Sequence, residues 1–264
     1  MDKKITLQFL LLTFTITILV GTFLFVFSLQ GLKITWTDIR LFPILSLYAL
    51  SPAIASFIVL KKNGEVTGLK EWLKNIFYVK SSISHYLFIV FMLSLLVLMW
   101  IFSFGFPEVA SFYMFFLYIP VMLIGGGMEE TGWRYVLQPQ LEKKFGYIIA
   151  AVITGLIWSV WHLPMFFMPG TDQAGTDLIG FFLGCIFTSF IYGTIVRIAG
   201  KAGVFLCILY HTMNNVLNNA LSFPQIETAI LPVYIAYPTF FSLMVLISAI
   251  VIIVHKYKAK SQKV

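Results

Sequence analysis

Charge is scarce in this chain, and negative charge scarcest: 264 residues carry 11 Asp and Glu against 18 Lys and Arg, 11% charged in all. Soluble domains carry about a quarter. Whole windows of 20 or more residues hold no charge here, which excludes a soluble core whose elements each need a polar face. Cysteine is nearly absent as well. Cys185 and Cys207 both lie inside apolar segments, which argues against a disulfide framework or a Cys-based zinc site. No HExxH helix occurs. No internal repeat, low-complexity tract or linker divides the chain, and no Gly-interrupted span recurs in two halves as in repeat-built transporters.

What is present is apolar: 59% hydrophobic residues, 27 of them Phe, and a mean hydropathy of +0.92. Eight stretches reach the roughly 20 residues that a crossing needs, near 5–28, 39–60, 83–106, 110–141, 146–168, 177–199, 203–221 and 230–255. The first follows Asp2, Lys3 and Lys4; its apolar region is too long for a signal peptide and no small-residue cleavage site follows, so it reads as an uncleaved span. With a cytoplasmic N-terminus, the inner segments hold Lys3, Lys4, Lys61, Lys62, Lys70, Lys74, Lys80, Lys143, Lys144, Arg197, Lys201, Lys256, Lys258, Lys260 and Lys263. The outer ones hold only Lys33 and Arg40, so both termini are expected in the cytoplasm. The net charge of +7 follows from this bias and implies no nucleic acid.

The expected fold is all-α, a polytopic membrane helical bundle of about eight transmembrane helices plus one short cytoplasmic interfacial helix. Residues 1–264 form a single integral membrane domain in this reading. The interfacial helix is expected within 66–80, where Leu69, Trp72, Leu73, Ile76 and Phe77 share one face opposite Lys70, Glu71 and Lys74. Trp36, Trp72, Tyr234 and Tyr237 read as belt residues at the membrane surfaces.

Against this background Met128 to Arg134 reads M-E-E-T-G-W-R. Three ionisable groups at membrane depth cost several kcal/mol unless they pair, face a wet cavity or do chemistry. Glu130 and Arg134 are spaced i, i+4, which suits an intrahelical ion pair and also suits holding Glu129 in place. Gly125, Gly126 and Gly127 just before let a neighbouring backbone or a ligand come close. From Ala110 to Leu141 the fourth span is expected to run as one helix of about 48 Å, past the membrane surface. It turns near Lys143 to Gly146. Glu129 lies 16 residues before Phe145 and His162 lies 17 after, so an antiparallel hairpin sets them at nearly one depth. Trp158, one turn before His162, walls the same face. His211 and Asn215 share a face of the seventh span, extended by Asn218 and Ser222. Each group alone has a plainer reading, since a lone His can bond a carbonyl and Asn can glue helices. Their coincidence on three spans at a shared depth favours chemistry. His85 and His255 sit at span ends and read as bystanders.

At these residues the chain resembles the CPBP intramembrane proteases, the superfamily of type II CAAX prenyl endopeptidases and bacterial bacteriocin-immunity (Abi) proteins. E-E-T-G-W-R at 129–134 matches its EExxxR motif, W-S-V-W-H at 158–162 its FxxxH with Trp158 in place of Phe, and H-T-M-N-N at 211–215 its HxxxN. The resemblance covers about 110–220, a protease core in this reading. It implies an intramembrane endopeptidase in which Glu129 and His162 activate water, His211 and Asn215 stabilise the oxyanion, and Glu130, Arg134 and Trp158 support them. Zinc held by Glu129, His162 and His211 is the other scheme, since one Glu and two His make an accepted catalytic set. Asn is a poor zinc ligand and a good amide donor, which favours the metal-free glutamate scheme.

The implied partners are membrane lipid and a hydrophobic or lipidated peptide, cut on the cytoplasmic side of a cell membrane. The Lys- and Phe-rich chain has a prokaryotic character, and most prokaryotes offer no prenylated CAAX substrate. That favours a hydrophobic peptide, a pheromone precursor or a membrane-protein terminus. The rival classes are a non-catalytic immunity or scaffold protein and a small transporter. Oligomeric state is not legible.

Overall fold

A computed structural model describes residues 1–36, 38–223 and 233–261. The Asp2 carboxylate caps α1 (Lys3–Leu29), accepting from the backbone N–H of Lys4 and Ile5. Next come α2 (Phe42–Ala49) and α3 (Ser51–Lys62), each with proline in its first turn, where a missing N–H costs nothing. The chain continues through α4 (Leu69–Ile76), α5 (Ile83–Phe104), the short β1 (Glu108–Val109) and α6 (Phe112–Ile124). A 3-10 turn at Gly127–Glu129, the single turn α7 (Glu130–Gly132) and a π-helical turn at Trp133–Leu137 lead into α8 (Gln138–Phe166). Then follow α9 (Leu178–Ala199), α10 (Gly203–Ala220), β2 (Leu221–Ser222) and α11 (Val233–Ser261).

Five helical runs are long and apolar enough to cross a membrane, and α2 with α3 makes a sixth. Two runs, 55 and 43 residues long, far exceed the roughly 20 residues of one crossing. Both break where glycine takes a positive φ, at Gly146 (74°) and Gly200 (56°), a conformation other residues avoid. The described residues therefore make about eight apolar passes, the polytopic all-α bundle expected, and the chain is an integral membrane protein. Its outward side chains agree: Leu7, Leu11, Ile18, Leu19 and Leu29 of α1 are exposed, as suits a lipid solvent.

Several expectations need correction. The second span is not one rod, because α2 and α3 meet at 51°. The fourth span is not a continuous helix, because α6 stops at Ile124 and the backbone then passes through 3-10 and π-helical turns. Trp72 is not a surface belt residue: it is 4% exposed, its indole N–H donates to Ser56 Oγ, and its ring meets Phe57 edge-on. Asn218 and Ser222 do not extend a buried stripe, since both are exposed and Ser222 belongs to β2. The start of the last span, and the side chains of Tyr234 and Tyr237, lie outside the described residues.

The chain forms two compact units, each assembled from two sequence segments. The first comprises Met1–Ile76 and Met128–Ser189. Its centre is Trp161, 2% exposed, whose indole N–H reaches Thr17 Oγ1 at 2.7 Å and Ser51 Oγ at 3.1 Å. Tyr48 donates to the Trp161 carbonyl at 2.7 Å, and Trp133 packs edge-on against both Trp161 and Phe9. One aromatic therefore ties α1, α2, α3 and α8. Replacing Trp161 with Phe is expected to cost about 2 kcal/mol, from a lost hydrogen bond plus unfilled volume. Reversible unfolding in detergent micelles measures it; an unchanged midpoint contradicts this account.

The second unit comprises Phe77–Gly127 and Phe190–Val264. There α6 packs along α10, and α5 packs against α10 and α11. β1 and β2 pair antiparallel, Glu108 opposite Ser222 and Val109 opposite Leu221, joining the ends of those passes. α10 folds back on the end of α9, with Cys207 Sγ against the Tyr192 carbonyl and a Cβ on Gly203 falling 2.6 Å from Val196 Cα.

Candidate active site

Glu129, Glu130 and Arg134 are 2%, 0% and 1% exposed, an arrangement that apolar packing alone does not require. Arg134 Nε donates to Glu130 Oε2 at 2.7 Å, the ion pair that the i, i+4 spacing implies. Its other nitrogens donate to Gln138 Oε1 at 2.7 Å and Ser189 Oγ at 3.1 Å, and its guanidinium lies 5.5 Å over the Trp158 ring. Gln138 in turn donates to Glu142, so residues 130, 134, 138 and 142 form a ladder of i, i+4 contacts. It runs through the π-helical turn, closed by the Gln138 N–H donating to the Trp133 carbonyl five residues back.

Glu129 is held differently. Its Oε2 accepts from the Trp158 indole N–H at 2.7 Å and from Trp133 Nε1 at 3.4 Å. The hairpin that turns at Gly146 thus brings the side chains of Glu129 and Trp158 together. Trp158 does more than wall the site, because the indole supplies a donor that a Phe lacks. His162 Nδ1 lies 3.0 Å from the Trp158 carbonyl. A carbonyl only accepts, so Nδ1 carries a proton and, in the neutral ring, Nε2 is the basic nitrogen. Edge-on contacts with Trp161 and Phe181 fix that ring.

In the second unit His211 is buried at 6% exposure, and Asn215, one turn on, is half-buried. Both press against α6's end: a Cβ on Gly126 would fall 2.3 Å from Asn215 Nδ2 and 3.0 Å from His211 Nε2. At Gly127 it would fall 2.1 Å from Thr212 Oγ1 and 3.1 Å from the Ile208 carbonyl. The glycines thus permit the close approach that their sequence suggests. Asn219 bonds back to the Asn215 carbonyl and holds the helix end.

Sequence reasoning missed Gln138, Ser189, Trp133 and Thr212. Only Gln138 left a signal, one more i+4 step beyond Arg134. His85 bonds Ser81 and His255 is exposed, consistent with bystanders. Among the described residues no three His, Cys, Asp or Glu side chains are grouped to hold a metal ion. Around Glu129 two indole N–H groups are directed at Oε2, which favours a carboxylate held by hydrogen bonds through that oxygen.

Fold and site together define an integral membrane protein built around buried polar groups. Residues 110–217 match the family described as type II CAAX prenyl endopeptidase Rce1-like. A Methanococcus maripaludis protein named CAAX prenyl protease 2 is 26% identical over 127 residues, 43% of this chain and 46% of that protein. The chain thus spans about half the length of the curated relative it matches. The matched segment 110–217 carries all three motifs, and in it the chain is similar to the CAAX protease family.

Proposed function

We propose that this protein is an intramembrane endopeptidase that hydrolyses a peptide bond near the terminus of a hydrophobic or lipidated, membrane-anchored peptide. The observation that carries the reading is Glu129: a carboxylate 2% exposed, oriented by an indole N–H, in the same unit as a His162 whose tautomer presents a basic Nε2. Glu129 and His162 share the deprotonation of one water, whose oxygen attacks the scissile carbonyl. His211 and Asn215 donate to the resulting oxyanion, each good donor contributing about 3 kcal/mol. Glu129 then passes its proton to the departing amine as the C–N bond breaks. Glu130 and Arg134 keep Glu129 in place. The Lys and Arg asymmetry supports a site opening toward the cytoplasmic leaflet, with both termini on that side.

The testing experiment uses the full chain in anionic liposomes with fluorogenic peptides, one bearing a prenylated cysteine and one a plain apolar anchor. Cleavage that Glu129→Gln abolishes supports the reading, and cleavage that persists in excess chelator supports the glutamate scheme. No cleavage of either peptide or of a membrane-anchored peptide library contradicts it. Gly126→Ala is expected to lower kcat about a hundredfold with little change in KM, because the new methyl displaces Asn215 and the oxyanion loses a donor.

A further inference from the structure

We propose that Trp158 is a positioning residue whose indole N–H holds the Glu129 carboxylate in its reactive orientation. This rests on the role of Glu129 given above. The indole nitrogen stands 2.7 Å from Glu129 Oε2, at the short end of the range for N–H donors, between two side chains 29 residues apart in sequence. Trp158 is 7% exposed, so water offers that oxygen little competition from its side. A hydrogen bond to a carboxylate in a dry site is among the stronger and more directional kinds.

The rest of the ring is anchored independently. Arg134 lies over its face, the Trp158 backbone carbonyl takes His162 Nδ1, and the His162 ring meets the indole edge-on. One residue therefore touches the base, the imidazole beside it and the arginine that pairs Glu130. Trp133 Nε1, at 3.4 Å from the same oxygen, is too distant to substitute fully.

Trp158→Phe keeps a ring under Arg134 and removes only the donor. The expected result is a ten- to hundredfold lower kcat with KM within about twofold. Wild-type rates in Trp158→Phe, with Glu129→Gln inactive, overturn this proposal and leave the endopeptidase reading standing. Full activity of Glu129→Gln overturns both. A second measurement is independent of turnover: the indole N–H resonance of Trp158, assigned by sequential connectivities in the wild-type protein, is compared between folded wild type and Glu129→Gln in micelles. It moves upfield when the charged acceptor becomes an amide. An unmoved resonance overturns the proposal whatever the rates, which also covers a Trp158→Phe protein that fails to fold.

Discussion

Glu129→Gln is expected to lower kcat by about three to four orders of magnitude while leaving the protein folded. The substitution keeps the side chain's size and leaves an amide oxygen to accept from Trp158 and Trp133, so the local packing survives. What disappears is the proton acceptor. General acid–base catalysis contributes about 10² to 10⁴, and in the proposed mechanism one carboxylate serves in both directions, taking a proton from water and returning it to the amine. Peptide binding depends on the apolar anchor, so KM should change little. The check is steady-state cleavage in liposomes alongside thermal unfolding of both proteins. A Glu129→Gln protein with the same midpoint and a rate within tenfold of wild type removes the carboxylate from the mechanism.

The largest expected effect on stability comes from Arg134→Met, about 3–5 kcal/mol. Arg134 makes hydrogen bonds to Glu130, Gln138 and Ser189 and is 1% exposed. Truncating it leaves the fully buried Glu130 without its guanidinium, and the cost of stranding a charge exceeds the worth of the pair. The two effects separate in a double replacement. Glu130→Leu with Arg134→Met removes both charges and should regain most of the loss, because apolar pairs of similar volume replace buried ion pairs at little cost. Unfolding of the three variants in one detergent measures this. An Arg134→Met loss below about 1 kcal/mol means that water reaches the pair.

Much of the architecture was legible because lipid leaves the chain few options. A charge-free run of sufficient length has to be helical when its backbone groups find no water, and turns declare themselves by residues such as Gly146. The interruption of the fourth span was illegible. Glycines and charges stand in it at 125–134, but their sequence does not say that the helix stops, and the chain departs from α geometry where Gly126 and Gly127 press against His211, Thr212 and Asn215. The Glu130–Arg134 pair was legible from spacing alone. Ser189 was not, being 55 residues from Arg134. Trp72 misled because an indole in a short amphipathic helix has the same sequence signature whether it turns to lipid or inward to Ser56.

At the bend between α2 and α3, Leu50 N–H reaches the Ser46 carbonyl and Ile54 N–H the Leu50 carbonyl, both at 2.8 Å, while Pro52 between them has no N–H to give. The elbow is therefore written into the chain at Pro52 and braced by the grip of Thr17 and Trp161 on Ser51 at its apex. Loosened from that clasp, this stretch would keep its proline crook but lose its fixed angle, letting Lys61 and Lys62 wander along an arc at its far tip.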